Sequence, residues 1–114
     1  MSGFEFLVSS LIRFNIASFG TRCLAWMLAT SQNAAIRDGV KAIGFAQQAV
    51  AMTNRKDPPC LGTLAAAYAE AGQFEKAVAA EKEAMALLKT EEERNEYAPK
   101  LKLYEAKTPY RDKE

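Results

Sequence analysis

The chain is predicted to be all-α, folded as antiparallel helix-turn-helix repeats, about two of them with a C-terminal capping helix. Three observations predict this. Between Asp57 and Leu88, two apolar stripes at helical spacing are separated by Gly72. Part of that pattern occurs twice: Leu24-Ala25 and Leu28-Ala29 repeat the spacing of Leu64-Ala65 and Tyr68-Ala69 at an offset of forty residues. Strand-like alternation is absent from a chain that is 49% apolar, and 114 residues fit one domain.

Residues 1–19 form an apolar N-terminal segment expected to be helical. Within it, FEFLVSSLIRFNIASF (residues 4–19) is too short to span a membrane and is interrupted by Glu5 and Arg13. The repeat domain is assigned to residues 20–106. Its first helix begins with TRCLAWMLATS at residues 21–31, and Ser31, Asn33, Asp38 and Gly39 mark an enlarged turn over 31–39. The next helix, residues 40–53, carries the stripe Ala42, Ile43, Ala46, Ala49 and Val50, which aligns with Ala77, Val78, Glu81, Ala84 and Met85. Gly44 inside it implies a close helix crossing. The Arg37-Asp38 pair reads either as a local ion pair with a helix cap or as a recognition loop.

Asp57 with Pro58 and Pro59 marks the start of the third helix, whose apolar face is Leu61, Leu64, Ala65 and Tyr68. Gly72 is expected to end it in the left-handed conformation. Phe74, Ala77, Val78, Ala84, Met85 and Leu88 give the fourth helix its stripe. Thr90 with Glu93 is a capping box, opening a final helix over 91–106 with Tyr97, Leu101 and Tyr104 facing inward. Pro99 within that helix predicts a kink or break at residues 95–99. Residues 107–114 form a polar tail, expected to fray apart from Tyr110.

The order Leu64, Ala65, Tyr68, Gly72, Phe74, Ala77 and Ala84 resembles the tetratricopeptide repeat, a helix-turn-helix unit of about 34 residues. The resemblance covers residues 20–106. It implies a non-catalytic scaffold that binds a protein or peptide in a groove lined by the first helix of each repeat. Carried onto this chain, the groove candidates are Arg22, Trp26 and Thr30 from the first copy and Gly62, Ala66, Ala69 and Glu70 from the second. Members that clamp a peptide carboxylate need several polar donors there. This chain offers Arg22 alone, so an apolar or aromatic partner segment is expected instead. Trp26 reads either as a groove anchor or as a core residue, and Glu70 as a solvated helix-end charge.

Composition limits the other function classes. Fifteen basic and fourteen acidic side chains leave a net charge of +1, which gives no general attraction to nucleic acid. There is no histidine, which removes the commonest general base and metal ligand. No enzymatic activity, cofactor or metal is expected. Glu81, Glu83 and residues 91–93 read as charged faces without an acid–base pair. Cys23 and Cys60 read as free, partly buried thiols of a reducing, cytoplasmic environment. The apolar segment 4–19 is expected to pair two chains as a homodimer. Its alternatives are folding back onto the repeats within one chain and peripheral membrane anchoring; a self-associating structural module whose groove is filled by its own N-terminal segment is the alternative function to partner binding.

Overall fold

A computed structural model describes residues 20–111, and these residues are helical with no strand among them. The order is α1 (20–30), α2 (Gly39–Met52), α3 (Pro58–Glu70), α4 (Phe74–Ala86) and α5 (Glu91–Glu105). The expectations for residues 4–19, including homodimerisation, fold-back and membrane anchoring, lie outside the described residues. Among the described residues no helix is long and apolar enough to cross a membrane.

α3 packs against both α2 and α4, and α5 packs on α4. The predicted stripes make two cores. Ala25 and Ala29 of α1 join Ala42, Ala46, Ala49 and Val50 of α2 and Leu61 and Leu64 of α3 in one cluster. Ala65, Ala69, Ala77 and Ala80 surround Tyr104 in the other. Alanine at so many contacts lets the helix backbones approach closely. Tyr68 and Phe74 are only half-buried, and the Tyr68 hydroxyl accepts a hydrogen bond from Gln47 at 3.2 Å.

The turns follow from local chemistry. α3 ends in a Schellman motif: the Gln73 N–H donates to the Tyr68 carbonyl at 2.8 Å, and Gly72 takes φ +81°. The Asp38 carboxylate caps α2 by accepting from the Lys41 N–H at 3.1 Å. Thr90 caps α5 through the Glu93 N–H at 3.2 Å. At Asp57 the capping is different, because its carboxylate accepts from the Cys60 thiol at 3.1 Å rather than from the backbone.

Four expectations are corrected. Gly44 meets no close crossing, since a Cβ there would stand in open space; the tight approach is at Gly39, where a Cβ would come within 2.8 Å of the Ala71 nitrogen. α5 does not break at Pro99: the helix continues from Glu91 to Glu105 through it, with Pro99 exposed. Arg37 does not pair with Asp38; its guanidinium reaches Glu70 at 3.3 Å and donates to the Ser31 carbonyl at 2.8 Å. The tail is packed as far as described. After Lys107, at φ +56°, residues 108–111 turn back across the helices instead of fraying.

Candidate functional site

α1, α3, α4 and α5 enclose a recess of about 340 Å³. α1 contributes Arg22, Cys23 and Trp26; α3 contributes Pro59, Gly62 and Thr63; α5 contributes Glu96, Tyr97 and Lys100. Glu81 of α4 also lines it. Three of the seven groove candidates, Arg22, Trp26 and Gly62, therefore meet in one recess. Gly62 leaves little spare room: a Cβ there would stand 3.2 Å from the Tyr97 ring, which would have to shift by a few tenths of an ångström, and in ordinary contact, 3.9 Å, with Glu81 Oε2.

Glu81 departs from its expected place. It does not lie on a charged face but is fully buried, and neither carboxyl oxygen has a hydrogen-bond partner within the described residues. Burial raises its pKa to about 7, against a smaller opposing attraction from Lys100. A signal did exist. Glu81 aligns with Ala46, a stripe position of α2 that is also fully buried. The same buried charge, after burial itself, helps push the Tyr97 hydroxyl up to about 12. The recess is accordingly more polar than the apolar groove expected from α1 and α3 alone, because α4 and α5 supply charges to it.

Lys100 sits at the edge of the recess. Its ammonium lies 4.9 Å from the Trp26 ring centre, 5.0 Å from that of Tyr110 and 5.9 Å from that of Tyr97. Beyond this point the chain covers itself. Tyr110 packs on Trp26 with ring centres 5.5 Å apart, and the Arg111 guanidinium meets Glu70 at 2.6 Å. Glu70 is thus held between two guanidinium groups and is not a solvated helix-end charge.

The remaining candidates present little open surface. Thr30 is buried and its hydroxyl donates to the Trp26 carbonyl at 2.7 Å. Ala66 and Ala69 are buried in the two cores. The cysteines differ sharply: Cys23 is exposed at the recess, whereas Cys60 is buried, and burial together with its bond to Asp57 pushes that thiol up to about 11. Among the described residues no cluster of histidine, cysteine and acidic side chains could hold a metal ion. The chain has no match among protein-family profiles, characterised proteins or solved structures.

Proposed function

We propose that this chain is a non-catalytic, peptide-binding scaffold of the tetratricopeptide type, with the recess between α1, α3 and α5 as part of its binding groove. One observation carries the reading. The two helices that the resemblance assigns to the groove share a recess of about 340 Å³, walled by the single tryptophan. Concave sites with apolar walls and a few placed polar groups are where ligands bind, and tryptophan is enriched among binding anchors. Trp26 supplies the apolar wall; Arg22, Glu96 and Lys100 supply charges that would select the register of a bound segment.

Selection of a random peptide library on the immobilised full chain tests this. Recovered peptides are expected to shift Trp26 emission and to lose about thirtyfold in affinity, about 2 kcal/mol, with Trp26→Ala. No enrichment, or binders indifferent to Trp26→Ala in a chain of unchanged helicity, would overturn it.

A further inference from the structure

We propose that residues 108–111 are a built-in ligand of this chain, and that the face they cover accepts partner peptides in which an aromatic residue is followed by arginine. This rests on the peptide-binding reading above and names the ligand chemistry for its covered half. The segment is reversed by a Schellman turn at the end of α5, in which Thr108 N–H donates to the Leu103 carbonyl at 2.8 Å. Lys107 takes φ +56° to make that turn, a left-handed conformation disfavoured for a residue with a Cβ. Such a conformation persists where contacts on either side hold it.

Those contacts are side-chain contacts. Beyond Thr108, no backbone–backbone hydrogen bond ties the described segment to the helices. Two adjacent residues are instead received at two separate places. The Tyr110 ring meets the Trp26 ring at a 42° tilt with centres 5.5 Å apart, and the Lys100 ammonium lies 5.0 Å from the Tyr110 centre, so one ring makes both an aromatic and a cation–π contact. Arg111 meets Glu70 at 2.6 Å, and Glu70 is fixed from its other oxygen by Arg37 at 3.3 Å. An extended chain with an aromatic side chain and then a guanidinium satisfies both places. Trp26 and Lys100 also line the recess, so a peptide seated on them in place of Tyr110 would stand at its margin. Because the tail is tethered, it competes at a high effective concentration, and a partner must match its chemistry to displace it.

The test uses the full chain carrying Tyr110→Ala and Arg111→Ala, titrated with a synthetic peptide of this chain's own sequence, KTPYRDKE, with nitrotyrosine at the tyrosine to quench Trp26. Saturable quenching is expected, at least tenfold weaker for the unsubstituted chain, and lost when the peptide's arginine is alanine. Glu70→Gln in the recipient chain should remove the advantage of the arginine peptide over the alanine one. If the double substitution disturbs folding, judged by circular dichroism, Arg111→Ala alone supplies the same comparison. No quenching of a folded variant, or equal binding to substituted and unsubstituted chains, would overturn the proposal. Library peptides that bind through Trp26 without an aromatic–arginine pair would also overturn it, while leaving the broader peptide-binding reading intact.

Discussion

Glu70 and Glu81 are the same side chain on consecutive helices, and the protein treats them oppositely. Glu70, at the last turn of α3, keeps 15% of its side-chain surface and has a guanidinium at ion-pair distance from each oxygen, although its Oε2 makes no hydrogen bond. Glu81, near the middle of α4, has no exposed surface and no hydrogen-bond partner among the described residues. The first is a charge used to hold parts of the chain together, the loop before α2 and the returning tail. The second is a charge confined where it is costly, facing a recess. The contrast separates a carboxylate that stabilises the fold from one that the fold tolerates.

The largest effect should come from Glu81. Its carboxyl is raised from 4.5 to about 7, so the folded chain holds that proton more tightly than the unfolded one. The associated stability is complete below about pH 4.5 and lost as pH rises through about 7. A shift of this size corresponds to about 3 kcal/mol. Glu81→Gln keeps the shape and removes the charge, so urea unfolding at pH 8 should find the variant more stable by up to that amount. Near pH 4.5 the two should nearly coincide. A variant that retains the parent's pH dependence would show that Glu81 is solvated after all.

Glu70→Gln should act in the other direction. It leaves Arg37 and Arg111 against a neutral amide, and because the site is partly exposed the loss should be about 1–2 kcal/mol, between the limits for surface and buried pairs. The loss should shrink in high salt. Salt-independent destabilisation would mean that packing rather than charge is at stake.

Tyr104 lies between the two cases, fully buried with a hydroxyl that finds no partner among the described residues. Tyr104→Phe removes that unmet hydroxyl without opening a large cavity and should stabilise by about 1 kcal/mol in the same unfolding experiment. The smallest effect is expected at Lys107. Glycine takes φ +56° freely but loses more entropy on folding, so Lys107→Gly should raise stability by about 0.5 kcal/mol or leave it unchanged. A clear loss would show that the lysine side chain, rather than the turn alone, holds the tail.

What was legible in the sequence is what is local. Asp38, Gly72 and Thr90 announce helix ends through chemistry within a few residues, and each end is where it was expected. The alanine stripes likewise predict which faces of α2, α3 and α4 are buried. What was not legible depends on partners far along the chain. Arg37 finds Glu70 instead of its neighbour Asp38 because the loop before α2 lies against the end of α3. Arg22, Trp26 and Gly62 could be named for the recess from the first helix of each pair, but Tyr97 and Lys100 come from α5 and Glu81 from α4. Nothing in KTPYR signals a reversal, since lysine is an uncommon choice for a left-handed position.

The unequal cysteines have a practical consequence. A thiol reagent acts on the thiolate, and Cys60 is both shielded and held protonated well above neutral pH. Cys23 stands exposed on the wall of the recess. Modification of the native chain should therefore stop at one adduct, and that adduct will be anchored at the mouth of the recess. Weakly bound fragments carrying a disulfide could be captured there by exchange, so the recess can be surveyed ligand by ligand.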